Sequence, residues 1–122
     1  MRKKRVKVYI RAAKMRFDVF GFDVHFVETD NYTLAMDHLG LRDHGDGPKD
    51  TTEAFTWNAA AGDESYIFTE RNPSIHTVVH ECWHAVKHML DFRGVGMENE
   101  TVAYHLDHLV KYAMKFYKKE KR

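Results

Sequence analysis

The sequence predicts an α+β fold, a small, mostly antiparallel sheet packed on a motif-bearing helix and a following C-terminal helix. Strand-like alternation of apolar and polar residues is confined to the stretch before residue 70. Helical apolar spacing takes over from about residue 73, and clusters of Gly, Pro, Asn and Asp punctuate the boundaries. Strands gathered first and helices after are the mark of segregated α+β architecture.

The 122 residues fit one domain, 1–122, large enough to bury a core without staples. With 43% hydrophobic and 30% charged residues, disorder is expected only at the ends. The formal net charge of +1 argues against a chain that grips nucleic acid through its whole surface. Basic clusters (Arg2, Lys3, Lys4, Arg5 and Lys118, Lys119, Lys121, Arg122) read as flexible solubilising ends over about 1–4 and 118–122, with a nucleic-acid or acidic partner left open. The single cysteine, Cys82, excludes an intramolecular disulfide, and no apolar run is long enough for a signal peptide or membrane span. A cytoplasmic protein without membrane association is expected, a monomer rather than an oligomer.

Taken in order, Val6, Val8 and Ile10 alternate with Lys7, Tyr9 and Arg11 as a half-buried strand would, a helix through Ala12 and Ala13 being the competing reading. Phe22, Val24 and Phe26 alternate with Asp23, His25 and Val27, which predicts a strand over about 22–28 with Gly21 as a turn or bulge; His25 is read as an ordinary polar-face residue. Asp30 or Asn31 can cap a short helix through Leu34, Ala35, Met36 and Leu39, stopped by Gly40. Residues 42–51 carry turn chemistry and read as a solvated loop rather than a second ion site. Segments 54–60 and 65–70 read as a hairpin that delivers the chain to the next helix.

That helix is bounded by Asn72 as cap, Pro73 in its first turn and Gly94 after its last. Ile75, Val78, Val79, Cys82, Val86, Met89 and Leu90 form one wide apolar stripe. After a reversal at Gly94 and Gly96, a last helix runs from about Glu98 to Tyr117 on Val102, Leu106, Leu109, Val110, Ala113 and Phe116.

The motif is His80-Glu81-Cys82-Trp83-His84, a match to H-E-x-x-H. Residues four apart share a helix face, so His80 and His84 can hold one Zn²⁺ while Glu81 stands one step round beside a water. A shuffled chain of this composition would contain the pattern about 0.04 times, which makes coincidence a poor account. The alternative is that His76, His80, His84 and His88 form a polar face with no metal. At about 100° per residue the histidines lie opposite the apolar stripe, so they are not core residues, whereas Cys82 falls on the core side.

A catalytic zinc takes a third protein ligand and keeps an open position. Glu100 is the choice, on the outward side of the last helix, with Glu98 the weaker candidate. Tyr104, His105, His108 and Tyr66 are candidates to stabilise a developing oxyanion, His108 the first of them because it shares the Glu100 side more closely than His105 does.

His80-Glu81-x-x-His84 followed by Asn99-Glu100 on the next helix resembles the gluzincin zinc metallopeptidases, in particular their minimal single-domain forms from phages and mobile elements. The resemblance covers about residues 54–110. It implies a zincin-like domain in which His80, His84 and Glu100 hold zinc and Glu81 is the general base for hydrolysis of a peptide bond in a protein substrate. By resemblance the substrate lies along a sheet edge at residues 65–70, with Trp57 and Trp83 available to line a side-chain pocket. The chain departs from the thermolysin-like pattern at Tyr104, where that group has an aspartate orienting a zinc histidine; Asp107 could replace it. Two other functions fit the same residues, a zinc amidohydrolase for a small molecule and a zinc-binding regulatory or structural module without hydrolysis.

Overall fold

A computed structural model describes residues 8–41, 54–59, 63–96 and 98–118. The architecture is α+β, with strands β1 (Ile10–Phe17), β2 (Phe22–Thr29), β3 (Ala54–Asn58) and β4 (Glu64–Thr69), and helices α1 (Tyr32–His38), α2 (Ile75–Phe92) and α3 (Asn99–Lys118). The strand order is β1-β2-β4-β3. β1/β2 and β3/β4 pair antiparallel and β2/β4 parallel, so the sheet is mixed.

β1 begins at Ile10 and runs through Ala12 and Ala13, where the sequence left a helix open. The reason is non-local. A turn over 18–21 folds β1 back so that every residue from Ile10 to Phe17 pairs with β2, and ladder pairing outweighs the helix propensity of two alanines. Val6, the basic ends at 1–4 and 119–122, and the loop at 42–51 lie outside the described residues.

Pleating sorts the side chains onto two faces. Phe22, Val24, Phe26 and Ile67 face α2 and α3, joining Cys82, Met89, Leu109 and Ala113 in the main core. Val27 and Phe68 face the other way, onto Tyr32, Ala35 and Met36 of α1. On β3, Phe55 and Trp57 belong to the α1 side, which leaves Ala54, Thr56 and Asn58 toward α2.

Both central glycine stops act as expected. After α1 the N–H groups of Gly40 and Leu41 bond the carbonyls of Asp37 and Met36; after α2 those of Gly94 and Val95 bond Asp91 and Leu90. Each is a 5→2, 6→1 pair needing left-handed backbone at the glycine, at φ 73 and φ 67. The amino end of α2 is corrected. Ser74, not Asn72, is the cap, its Oγ accepting from the Thr77 N–H at 3.2 Å, because the Asn72 N–H is drawn to a Glu28 carboxylate oxygen at 3.2 Å. Ile75 consequently sits in an exposed first turn outside the stripe, and the fully buried Ala85 fills the stripe instead.

Glu28 is a buried polar hub on the helix side of β2. Its carboxylate accepts from Tyr9 Oη at 2.8 Å and Arg11 Nε at 3.2 Å as well as from Asn72. Arg11 reaches on to the Phe116 carbonyl at 2.8 Å, and Tyr117 Oη accepts from Thr69 Oγ1 at 3.0 Å. Sheet, α2 entry and α3 exit are therefore tied through one carboxylate. None of the helices among the described residues is long and apolar enough to cross a membrane.

Candidate functional site

α2 lies over β3 and β4, and its outward flank carries His80 and His84. Their Nε2 atoms are 3.1 Å apart, with the rings edge to face. In the bare protein one ring can donate to the other. The same separation suits one tetrahedral ion, because ligands at ~2.05 Å and a tetrahedral angle place two nitrogens about 3.4 Å apart. The two histidines therefore fit half of a zinc site with little rearrangement.

Glu81 is turned inward, 7% exposed, beneath the pair. Thr56 of β3 donates through Oγ1 to Glu81 Oε1 at 2.8 Å, and the other carboxylate oxygen stands 3.9 Å from His80 Nε2. One oxygen is thus held by the sheet and the other faces the histidines. No spacing rule singled out Thr56; the only signal was a polar residue alternating with Phe55 and Trp57.

Two clefts meet at Glu81 and Ala54. The larger, about 480 Å3, runs toward the carboxyl end of α2 past Thr56, Asn58, His84 and His88. The smaller, about 340 Å3, is lined by His76, Thr77 and His80. Together they follow β3, the edge strand. This corrects the expected substrate edge: residues 65–69 lie in β4, which is interior between β2 and β3.

Other sequence candidates fall elsewhere. Glu100 is exposed in the first turn of α3, and no third His, Cys, Asp or Glu joins His80 and His84 in a metal-holding group among the described residues. The helix hairpin explains the gap. α2 continues eight residues beyond His84 before it ends at Phe92, about 12 Å at 1.5 Å per residue, and α3 starts from that far end. Tyr104 and His108 line neither cleft; they stack on each other, and His108 and His105 pack on Phe17. Burial, then the charge of His108, hold the His105 imidazole below its ordinary pKa. Tyr66 is on the opposite sheet face, stacked on His25 at 4.0 Å, with its hydroxyl pKa raised to about 12 by burial and by Glu64. Trp57 packs on Tyr66 on that same face, away from the clefts, while Trp83 is 38% exposed beside His84. Asp107 pairs with Lys111 at 3.2 Å on an exposed face rather than with a motif histidine.

Cys82 packs in the core as expected, fully buried. Burial and then the neighbouring Glu81 push its thiol up to about 12. At pH 8 about one thiol in ten thousand is then ionised. Native protein held at pH 8 with iodoacetamide is expected to stay unlabelled, while guanidinium-unfolded protein labels fully; rapid labelling of the native form would contradict this burial.

No protein-family model, curated protein or solved structure matches the chain.

Proposed function

We propose that the chain is a zinc-dependent metallopeptidase that hydrolyses a peptide bond in a cytoplasmic protein substrate. The observation that carries this reading is the His80–His84 pair at metal-bite distance with the Glu81 carboxylate under it, all in a cleft beside an edge strand. His80 and His84 would hold Zn²⁺, with Glu100 completing the set as the gluzincin pattern requires. Ligation by Glu100 requires the first turn of α3 to move toward α2. When bound, zinc supplies Lewis acidity to the scissile carbonyl and to water.

The chain's own residues supply the rest. Thr56 fixes the rotamer of Glu81 and satisfies one oxygen, leaving the other free to accept a proton from the attacking water and later return it to the leaving amine. An extended substrate adds to β3 by main-chain hydrogen bonds, which carries its scissile bond past Glu81. A peptide substrate uses the whole edge and a small amide does not, so β3 substitutions that keep zinc but abolish activity favour the peptidase over the amidohydrolase.

Elemental analysis tests the ligand set. Wild type is expected to hold one zinc per chain, His84→Ala close to none, and Glu100→Ala a markedly reduced amount. Full retention in Glu100→Ala rejects Glu100 as a ligand, and absence of metal from wild type rejects the hydrolase. One observation favours a second reading, a metal-binding module without hydrolysis: the pair lacks a third ligand among the described residues. Under that reading Glu81→Gln has no hydrolytic phenotype, because Glu81 is required for catalysis and not for ligation.

A further inference from the structure

Among the described residues β3 pairs on one side only, and that pairing fixes what its open side offers. The Ala59 N–H bonds the Glu64 carbonyl at 3.0 Å, one step beyond the Asn58–Ser65 pair. Antiparallel neighbours alternate between pairs that exchange hydrogen bonds and pairs that do not. Phe55 and Trp57 therefore spend their peptide groups on Phe68 and Tyr66, while Ala54, Thr56 and Asn58 turn theirs to the free edge. At the opposite edge of the sheet Tyr112 Oη of α3 already donates to the Lys14 carbonyl of β1 at 2.8 Å. Side chains on β3 are sorted as clearly. Thr56 points to Glu81 on the α2 side, whereas Phe55 and Trp57 are partly buried on the other face, against Phe68 at 4.7 Å and Tyr66 at 5.7 Å.

We propose that β3 binds an extended peptide antiparallel to itself, with one peptide residue exchanging both main-chain bonds with Thr56, and selects aromatic or β-branched side chains at the two residues flanking that one. The inference rests on the hydrolytic reading above and gives it a substrate pattern. The residue paired with Thr56 turns its side chain to the α2 side, where the clefts meet. Its two neighbours stand opposite Phe55 and Trp57 in non-hydrogen-bonded pairs, the kind with the closer side chains, and aromatic or β-branched groups pair well there. A slip of one residue sets the peptide against groups already spent on β4, and a slip of two keeps every side chain on its face. The alternation is therefore fixed by the edge itself.

Zinc-loaded wild type is given a randomised peptide mixture, and the products are read position by position by mass spectrometry. Val, Ile, Tyr, Phe and Trp are expected at two positions two residues apart, each enriched about two- to fivefold. A cleaved sequence is then labelled, remade with one N-methyl group at a time, and its binding to zinc-loaded Glu81→Gln measured by fluorescence anisotropy. Methylation at the residue between the enriched positions is expected to weaken binding about tenfold, since it removes a bond to Thr56. At either enriched position the change should stay under about twofold, since those amides face away from β3. Trp57→Ala should lose one of the two enrichments while zinc content holds; should it fail to fold, the N-methyl series decides alone. Enrichment at adjacent positions or at none, both enrichments kept in folded Trp57→Ala, or equal loss from every N-methyl group overturns the pairing and leaves the peptidase standing. A wild type that cleaves no peptide overturns both.

Discussion

Glu81→Gln is expected to lower peptide hydrolysis by about a hundred- to ten-thousand-fold while zinc content stays at the wild-type level. The amide has the shape of the carboxylate and still accepts from Thr56 Oγ1, so the cleft keeps its form. What it loses is the free oxygen, 3.9 Å from His80 Nε2, that takes a proton. Steady-state kinetics on a cleaved peptide, with elemental analysis of the same sample, check this. Near-normal turnover in the zinc-loaded variant would remove Glu81 from the mechanism. A loss of zinc in parallel would instead mark the carboxylate as part of the metal's support.

The largest effect on stability is expected from Glu28→Ala, about 3–5 kcal/mol less stable than wild type. Removing this carboxylate strips Tyr9 Oη, Arg11 Nε and the Asn72 N–H of a shared acceptor in a dry environment. It also takes the Glu28 charge away from the Arg11 guanidinium, which is only 25% exposed. Since a domain is stable by only about 5–15 kcal/mol in all, about a fifth of the total or more is at stake. Urea denaturation followed by circular dichroism measures it; a change under about 1 kcal/mol would show that water replaces the carboxylate at little cost. Glu28→Gln keeps one acceptor and should fall between the two.

Local features were readable from the sequence because the signals are local. Asn31 caps α1 through the Leu34 N–H, Gly40 and Gly94 stop their helices, and the α2 stripe leaves His80 and His84 on the open side. Strand order was not readable. The parallel β2/β4 pairing brings together segments separated by a helix and another strand, so nothing in the Ser65–Thr69 alternation said that it would be interior. A helical wheel likewise gives an angle but no axial level. It correctly turned Glu100 outward, yet could not register that eight residues of α2 follow His84 before the reversal. It put Tyr104 and His108 on the Glu100 side without showing that His108 and its neighbour His105 pack against Phe17 at the β1–β2 turn rather than toward α2.

Among the described residues β3 pairs on one side only, so alternate peptide groups of Ala54–Asn58 point away from the sheet. In amide hydrogen exchange these should be among the fastest sites of the regular structure, while β2, paired on both sides and buried over most of its length, should open only with global unfolding. An extended chain laid on that edge would close those amides to solvent. Slowed deuterium uptake over 54–58 therefore reports occupancy of the cleft directly, without waiting for any bond to be cut.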